Sequence, residues 1–515
     1  MLVKVYSAAI CGVDAQIVEV EVDITSSLKD VFHTVGLPDA VVRESTERIS
    51  AAIRNSGLPG PLAGKTTVNL APAEFRKEGS GFELPMALGI LGTSGVLNEE
   101  HLKGWLVVGE LSLDGRVRPV KGALPIALAA RGAGIFRIVV PEDNAPEAAV
   151  VEGIQVFAVG RLRQAVELLN AKAEMRPKPF RSDGRAALAA AQQQCRIDFT
   201  EVKGQLHAKR ALEVATAGGH NLLMLGPPGS GKTMLAKRIP TILPAISFVE
   251  ALETSKIHSV CGLLNGAGIV GQRPFRSPHH TISYAGLVGG GKIPRPGEVS
   301  LAHNGVLFLD EVPEFQRHVL EVLRQPLEDQ QLTISRASMS LTFPAKFMLV
   351  AAMNPCPCGY HGSRLKDCRC TLGQIEHYRS RISGPLMDRI DIHVEVPEVK
   401  YEEITSRTRG ESSASIRRRV EEARAMQWRR LAGEQIYCNA QMGPSEIETY
   451  CVLDDSGKTM METAIRRCGF SARAYNRTLK VARTIADLAG SENIQSGHLS
   501  EAIQYRVLDR EIELL

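Results

Sequence analysis

Short apolar runs recur along this chain, and their lengths and flanking residues predict where strands and helices form. In the first third, residues 17–22 alternate apolar and polar side chains, as a half-buried strand does. Residues 67–70, 136–140 and 155–159 predict further strands, and the alanine-rich segment 124–131 predicts a helix. The first part of the chain is therefore expected to mix strands and helices.

Three later runs are apolar without alternation, at residues 221–225, 306–309 and 347–353. Continuous apolar runs of this length are typical of parallel strands that are buried on both faces. The first is followed by a glycine-rich stretch, the second by Asp310 and Glu311, and the third by Asn354. Ligands of open α/β sheets bind at the carboxyl ends of the strands, so we expect these residues to meet at one edge.

The glycine-rich stretch fits the phosphate-binding pattern G-x-x-x-x-G-K-[ST] and follows the first predicted strand directly. Glycines let backbone N–H groups turn toward phosphate oxygens, and the next helix adds its positive N-terminal dipole. Lys232 is expected to reach the β- and γ-phosphates, and the Thr233 hydroxyl to bind Mg²⁺. The predicted nucleotide-binding residues are Gly226, Pro227, Pro228, Gly229, Ser230, Gly231, Lys232 and Thr233.

The polar residues after the other two strands predict hydrolysis of the bound ATP. Asp310 is expected to hold Mg²⁺ together with Thr233, and Glu311 to polarise the attacking water. Asn354 suits the orientation of that water. Any one of these residues alone is commonplace at a strand end, but the ordered series predicts an ATP-hydrolysing core.

Composition narrows the class of protein without changing this picture. The 515 residues are 44% hydrophobic and 23% charged, as in ordinary folded domains, and the net charge is only +4. Any nucleic-acid site must therefore be a local basic patch. We expect a cytoplasmic protein, because no membrane span or secretion signal is apparent and the ten cysteines are mostly isolated.

The pattern divides the chain into four parts. We expect an N-terminal domain at residues 1–170, a basic linker at 171–195, the ATPase core at 196–400 and a helical, arginine-rich region at 401–515. The linker assignment depends on its many basic residues and few large apolar ones.

Four of the ten cysteines crowd together within the predicted core, directly after Asn354. They form two C-x-C pairs, and four thiolates are enough to close a tetrahedral Zn²⁺ shell. The usual spacing is C-x-x-C, and His361 and His377 are possible substitutes. We predict structural zinc, with free thiols as the alternative, at Cys356, Cys358, Cys368 and Cys370.

Two basic regions are candidates for nucleic-acid contact. Residues 273–298 combine arginines, His279 and His280 with the glycine run 289–291, as a loop that grips a polyanion in a central pore would. A structural insert is an equal alternative. Many arginines also crowd residues 407–430, but glutamates accompany them, so an ion-paired, solvated helix is favoured there.

Several long blocks carry a family resemblance. Besides the phosphate-binding loop, they are FRSPHHT, PRPGEVSLAHNGVLFLDE, LRQPLED, AAMNPCPCG, RISGPLMDRIDI and SARAYNRTLKVARTIADL. Over nearly its whole length the chain resembles the magnesium chelatase-like AAA+ proteins of the YifB/ComM type. The resemblance implies an α/β P-loop AAA+ core with a helical lid, preceded by a Lon-protease-like α+β domain related to ribosomal protein S5 domain 2.

The resemblance also implies a ring, expected to be a homo-hexamer, in which neighbouring subunits share each ATP site. Arg389 matches the arginine offered in trans to the γ-phosphate, and Arg473 matches the sensor arginine that the lid places on the nucleotide in cis. Arg379, Arg381 and Arg477 are alternatives. For competence-associated members, the resemblance implies a helicase that drives branch migration on single-stranded or branched DNA.

Two departures from related families limit the alternatives. At the positions of the Lon serine and lysine, this chain has Gly81 and Leu124, so we expect no protease substrate; Ser80 and Lys121 lie close by. The chain also lacks the D-x-S-x-S metal motif of chelatase partner subunits. A chelatase-like ATPase that remodels a protein or metal-insertion partner remains the alternative function.

Overall fold

The computed structural model describes residues 2–25, 31–60, 64–192, 197–264, 266, 268–291, 294–336, 339–363, 366–399, 410–433, 436–468 and 470–506. The chain divides into two compact units. The first unit contains Met1–Gln193 and Ser247–Gly271, and the second contains Gln194–Ile246 and Gln272–Leu515.

The strands alternate with helices through most of the chain. They are β1 (Leu2–Cys11), β2 (Asp14–Thr25), β3 (Val31–Val35), β4 (Lys65–Ala71), β5 (Trp105–Val107), β6 (Glu110–Leu111), β7 (Val117–Arg118), β8 (Arg137–Pro141), β9 (Gln155–Val159), β10 (Leu222–Leu225), β11 (Phe275–Arg276), β12 (Gly289–Gly290), β13 (Arg295–Pro296), β14 (Val306–Leu309), β15 (Gln331–Arg336), β16 (Met339–Pro344), β17 (Met348–Met353) and β18 (Ile392–Glu395).

The α-helices are α1 (Ala40–Asn55), α2 (Glu83–Thr93), α3 (Glu99–Leu102), α4 (Ala123–Gly132), α5 (Ala145–Ala148), α6 (Leu162–Asn170), α7 (Gly184–Gln192), α8 (Leu206–Gly218), α9 (Lys232–Ile242), α10 (Phe248–Cys261), α11 (Tyr284–Val288), α12 (Glu298–Leu301), α13 (Arg317–Glu321), α14 (Arg324–Asp329), α15 (Leu372–Arg379), α16 (Gly384–Met387), α17 (Ser413–Arg430), α18 (Pro444–Tyr450), α19 (Asp455–Cys468), α20 (Ala472–Leu488) and α21 (Ser496–Gln504). None of the helices in the described ranges combines the length and the apolar composition that a bilayer crossing needs.

A mixed sheet organises the first unit. In its described part, seven strands lie in the order β3-β4-β2-β1-β5-β8-β9. β1 and β2 pair antiparallel, whereas β5, β8 and β9 run parallel. Helix α2 is buried at every position and packs closely on β2, since a Cβ added at Gly89 would lie 2.5 Å from Val22 Cγ2. The four strands predicted in this part of the sequence are confirmed as β2, β4, β8 and β9.

The predicted basic linker is partly folded onto the first unit. Its residues include α7, Phe180 forms a β-bridge with Val156, and Leu188 is buried. The sequence pattern did not indicate this folding because it depends on one buried leucine and one backbone bridge, while most other side chains of the segment stay solvated.

The first unit also contains α10, which lies within the range predicted for the ATPase core. This helix packs on α4, and the hydroxyl of Ser259 donates to the buried carboxylate of Glu147. Burial raises the pKa of Glu147. An ion pair between Lys256 and Asp14 adds a surface contact. The chain therefore leaves the second unit after α9 and returns to it at β11, which sequence order alone did not indicate.

A parallel sheet forms the centre of the second unit. Its order is β11-β14-β17-β10-β18, and each neighbouring pair is parallel. Every residue of β10, β14 and β17 is buried, which explains why the three apolar runs lack alternation. All three predicted strands are confirmed, and the helices predicted for the C-terminal part are confirmed as α17–α21.

A buried carboxylate joins β10, β18 and α20. Asp391 Oδ2 accepts the backbone N–H of Asn221 at 3.2 Å, and Asp391 Oδ1 accepts a hydrogen bond from Arg477. Burial acts to raise the pKa of Asp391, but Arg477 and His220 outweigh it and hold this carboxyl pKa well below its ordinary value. The carboxylate therefore stays charged and ties the lid helix to the sheet.

Removing this carboxylate should destabilise the second unit. Asp391→Ala leaves the Arg477 guanidinium without its partner, and breaking one side of a buried pair costs about 3–5 kcal/mol. Amide hydrogen exchange in β10 and β18 measures this loss. Asp388→Ala, which removes a partly exposed carboxylate from the same segment, should change the protection by about 0.5 kcal/mol or less. Equal protection of the β10 and β18 amides in the two variants would show that Asp391 does not stabilise the second unit.

Candidate ATP site and cysteine cluster

The predicted phosphate-binding loop connects β10 to α9, at the carboxyl end of the parallel sheet. The first position of the loop has no room for a side chain, because a Cβ at Gly226 would lie 2.2 Å from the carbonyl oxygen of Val396. Gly229 and Gly231 have φ angles of +79° and +92°, which favour glycine. The loop thus has the tight, glycine-dependent conformation that turns N–H groups toward a phosphate.

Lys232 begins α9 and lies inside this loop. Its Nζ donates to the carbonyl oxygens of Gly226 at 2.6 Å and Pro227 at 2.9 Å, and to Oδ1 of Asn354 at 3.2 Å. Burial lowers the pKa of Lys232 to about 8, against the opposing effect of Asp310 and Glu311. The structure therefore brings together the lysine and the asparagine that follow two different predicted strands.

The two predicted Mg²⁺ ligands are also in contact. Thr233 Oγ1 donates to Asp310 Oδ2 at 2.7 Å, and Asp310 Oδ1 accepts the backbone N–H of Glu311 at 3.0 Å. A hydroxyl and a carboxylate are hard oxygen donors of the kind that Mg²⁺ takes alongside nucleotide phosphates. The donor set therefore fits the expected metal.

Glu311 follows with an unusual backbone conformation. Its φ of +52° lies in the left-handed region, and its side chain is half exposed at the sheet edge. Nδ1 of His280 lies 3.7 Å from its carboxylate. The sequence analysis assigned His280 to a loop that could grip a polyanion, and no motif signalled its proximity to Glu311.

The segment that contains the first predicted arginine, Arg389, lies at the opposite, amino-terminal end of the same strands. β10 and β18 pair from Leu222↔Ile392 to Leu225↔Glu395, and the N–H of Asp391 donates to the Asn221 carbonyl at 3.0 Å. The segment that contains Arg389 therefore lies beside the amino end of β10, whereas Gly226 follows its carboxyl end. At about 3.3 Å per residue, these two edges are about 15 Å apart.

The two arginines differ in exposure. Arg389 is 7% exposed, and its guanidinium donates to Glu328 and to the carbonyl of Pro385. Arg473, in the first turn of α20, is 65% exposed and lies 3.8 Å from Asp388, next to Arg389 in sequence. The lid thus places Arg473 beside the Arg389 segment.

The alternative arginines already have partners within the chain. Arg477 binds Asp391, and Arg381 donates to the Pro313 carbonyl at 3.2 Å and to Glu314 at 3.3 Å. Arg379 donates to the carbonyl of Pro355 at 3.4 Å.

The four cysteines after Asn354 come together in space. Cys356 Sγ lies 3.3 Å from Cys358 and 3.7 Å from Cys368, and Cys358 lies 3.6 Å from Cys368. With Cys370, all four sulfurs lie within 4.8 Å of one another and form no disulfide. A regular tetrahedron with Zn–S bonds of about 2.3 Å has sulfurs about 3.8 Å apart. The residues therefore fit a tetrahedral thiolate site.

Two hairpins lie side by side in the second unit. The first two glycines of the run 289–291 form β12, which pairs with β13, and β15 pairs with β16. A Cβ at Gly290 would lie 3.5 Å from Nη2 of Arg336, and both Arg295 and Arg336 are exposed. The β15–β16 hairpin was missed by the sequence analysis, although its alternation of Leu332 and Ile334 with polar residues is a strand signal.

The arginine-rich helix α17 is ion-paired in part, as favoured from the sequence. Arg419 binds Glu213 and Glu411, Arg430 binds Asp487, and Arg417 donates to the carbonyl of Thr241 at 2.9 Å. These guanidiniums stabilise helix packing. Arg407 and Arg409 lie outside the described residues.

The two positions that the resemblance aligns with the Lon serine and lysine, Gly81 and Leu124, lie in the first unit. Leu124 is buried near the start of α4, and a Cβ at Gly81 would lie 3.6 Å from Val120. The neighbouring Ser80 hydroxyl donates to Glu110, and Lys77 is buried and donates to the Pro72 carbonyl.

A parallel sheet that presents a glycine-rich loop, a lysine, an acidic pair and an asparagine at one edge, followed by a helical lid, defines a P-loop ATPase of the AAA+ class. Three family models match in order: "Subunit ChlI of Mg-chelatase" at residues 20–144, "Magnesium chelatase, subunit ChlI" at 198–404, and "Magnesium chelatase, subunit ChlI C-terminal" at 410–506.

Individual relatives match over the whole length. The chain is 44% identical to the competence protein ComM of Haemophilus influenzae, over 100% of this chain and 99% of that protein. It is 43% identical to the YifB protein of Escherichia coli, over 98% of this chain and 97% of that protein. A magnesium-chelatase 38 kDa subunit of Acidiphilium rubrum is 25% identical over 30% of this chain and 52% of that protein. The chain belongs to the magnesium chelatase-like ComM/YifB family.

Nucleotide affinity should fall as the pH rises past the pKa of Lys232. Burial sets this pKa at about 8, so the ammonium is mostly present at about pH 7 and mostly lost at about pH 9. Phosphate oxygens bind the protonated form, so the dissociation constant for ADP with Mg²⁺ should rise about tenfold over this range. A fluorescent ADP analogue measures it.

The matched control is Lys237→Ala, which removes an exposed lysine from the same helix. This variant should keep the pH profile of the unchanged protein. A dissociation constant that stays constant between these pH values in the unchanged protein would show that Lys232 does not titrate there.

Proposed function

We propose that this chain hydrolyses ATP as a ring of identical subunits, expected to be a hexamer, in which each ATP site is completed by the adjacent copy. The observation that carries this proposal is the placement of the phosphate loop and the Arg389 segment at opposite ends of the β10–β18 pair. An arginine whose backbone segment lies about 15 Å along the strand from its own phosphate loop is suited to the loop of a neighbouring subunit.

The contact between Arg473 and Asp388 extends this arrangement. The family resemblance implied that Arg473 acts in cis, but its place beside the Arg389 segment supports action in trans with Arg389. Glu328 neutralises Arg389 within the chain, and its own side chain is half exposed. On assembly, a neighbour's γ-phosphate would replace this carboxylate as the partner of the guanidinium.

We further propose that the ring moves on single-stranded or branched DNA during recombination of incoming DNA. A relative of 44% identity is named a competence protein, which supports a role in DNA uptake. The paired hairpins carry Arg295 and Arg336 in exposed positions, and hairpins with basic residues suit contacts with a phosphate backbone. Such contacts would be tolerant of DNA sequence.

A chelatase-like ATPase that remodels a protein or metal-insertion partner is the second candidate. The names of the three matching family models favour it. The matched chelatase subunit itself covers only 30% of this chain, which favours the DNA motor.

The remaining parts of the chain have supporting roles in this proposal. We propose that the first unit is a Lon-like scaffold without peptidase activity, since Gly81 and Leu124 replace the nucleophile and its lysine. ATP and Mg²⁺ bind at the loop and at Thr233 and Asp310. Zn²⁺ is proposed for the four-cysteine cluster.

Mixing two inactive variants tests the shared site. Arg389→Ala lacks the arginine but keeps its phosphate loop, and Lys232→Ala lacks the loop lysine but keeps the arginine. Arg389→Ala should lose at least about 10³-fold in ATP turnover, since an arginine in trans contributes that much. Lys232→Ala should be inactive because it lacks the lysine that contacts the β- and γ-phosphates. An equal mixture should recover about a quarter of the normal turnover, because a quarter of its interfaces join an intact loop to an intact arginine.

The same mixing experiment with Arg473→Ala separates action in trans from action in cis. Recovery with Lys232→Ala subunits is expected if Arg473 serves the neighbouring site. An absence of recovery in both mixtures would contradict the shared site.

ATP turnover with and without DNA tests the motor. Single-stranded and forked DNA should stimulate turnover at low salt and lose this effect as salt rises. The double variant Arg295→Ala/Arg336→Ala should keep basal turnover and reduce the salt dependence of DNA binding by about two phosphate contacts. Arg418→Ala, an exposed arginine of α17 paired with Glu422, is the control and should behave normally. An absence of stimulation and of strand displacement favours the second candidate.

A further inference from the structure

The loop that carries the four cysteines touches the ATP site directly. It begins at Asn354, whose Oδ1 accepts a hydrogen bond from Lys232 at 3.2 Å. At Gly359, φ is +85°, and an added Cβ would lie 2.7 Å from Cδ of Pro228 in the phosphate loop. The residue before Asn354, Met353, accepts the N–H of Gly226 at 3.2 Å. The cysteine loop and the phosphate loop are therefore in close contact.

Much of the order of this loop depends on its sulfurs. Between the end of β17 and the start of α15, the described residues form no helix or strand. The N–H of His361 donates to Cys356 Sγ at 3.3 Å, and the N–H of Cys370 donates to Cys368 Sγ at 3.4 Å. N–H groups directed at sulfur are typical partners of metal-bound thiolates. A metal would join the two ends of the loop at one point.

We infer that a zinc ion bound by Cys356, Cys358, Cys368 and Cys370 fixes this loop against Pro228 and thereby positions Asn354 and Lys232 for ATP hydrolysis. The inference rests on the ATP hydrolysis proposed above. The four cysteines are positioning residues here, because they act through Gly359 and Asn354 on the reacting groups. Displacement of catalytic groups by about 1 Å costs up to about 10²-fold in rate, so a loosened loop should slow turnover strongly.

Two glycines of the same loop provide a matched pair of variants. Gly359→Ala places a methyl group against Pro228, whereas a Cβ at Gly362 meets nothing within 4 Å. Both residues have positive φ, of +85° and +75°, so the backbone strain is similar. Gly359→Ala should keep zinc and lower the ATP turnover number about 10- to 100-fold. Gly362→Ala should keep both zinc and turnover.

Variants of one ligand test the metal itself. Cys370→Ser should lose zinc, measured by elemental analysis, and show the turnover defect of Gly359→Ala. Cys370→His supplies another zinc ligand and should restore both zinc content and turnover. Cys261→Ser, outside the cluster, is the control. Cobalt added to the metal-free protein should give the visible absorption of a tetrahedral tetrathiolate, and Cys370→Ser should lose that spectrum.

Several outcomes would overturn the inference. Folded, active protein without zinc would do so, as would a zinc-free Cys370→Ser variant with normal turnover and ADP affinity. Normal turnover in Gly359→Ala would show that the contact with Pro228 positions nothing. If Cys370→Ser does not fold, the comparison of turnover in Gly359→Ala and Gly362→Ala tests the inference.

A zinc-loaded unchanged protein without ATP turnover would contradict the proposed ATP hydrolysis but not the inference about zinc. In that case, the affinity of the variants for a fluorescent ADP analogue decides the inference. A Gly359→Ala variant with weakened affinity supports it, and one with normal affinity overturns it.

Discussion

The parallel pairing of β10 with β18 is the constraint on which the proposed mechanism depends. The buried carboxylate of Asp391 fixes this pairing, because it binds the backbone at Asn221 and the side chain of Arg477 together. One edge of the pair leads into the phosphate loop, and the other carries Arg389. In the proposed ring, a single chain would hold two complementary halves of a catalytic site, separated by the length of a strand.

Two sets of contacts hold the phosphate edge, which is the carboxyl end of the parallel sheet where the phosphate loop at residues 226–233 lies. Loop carbonyls and Asn354 accept the hydrogen bonds of Lys232, and burial lowers the pKa of Lys232 to about 8. Beside the loop, the cysteine segment packs against Pro228. The proposed phosphate-binding residues, Asn354 and the four-cysteine cluster therefore lie in one small region, and the inferred zinc would act on the ATP site through these direct contacts.

Much of the second unit could be predicted from sequence because its signals are local. The strands β10, β14 and β17 are continuous apolar runs, and the residues that follow each one are chemically distinctive. Other features arise from contacts distant in sequence. His280 lies near Glu311, and α10 packs with the first unit although it lies between parts of the second. No periodicity or motif encodes these contacts.

The sequence by itself determined the chemistry at the phosphate edge: a loop that only glycine permits, a lysine, an acidic pair and an asparagine, each next to a strand that its apolar residues define. Only the tertiary structure decided where the arginines and sulfurs lie relative to that edge. Strand register and lid docking depend on side chains that meet across the fold, such as Asp391 with Arg477, and linear sequence does not specify such pairs.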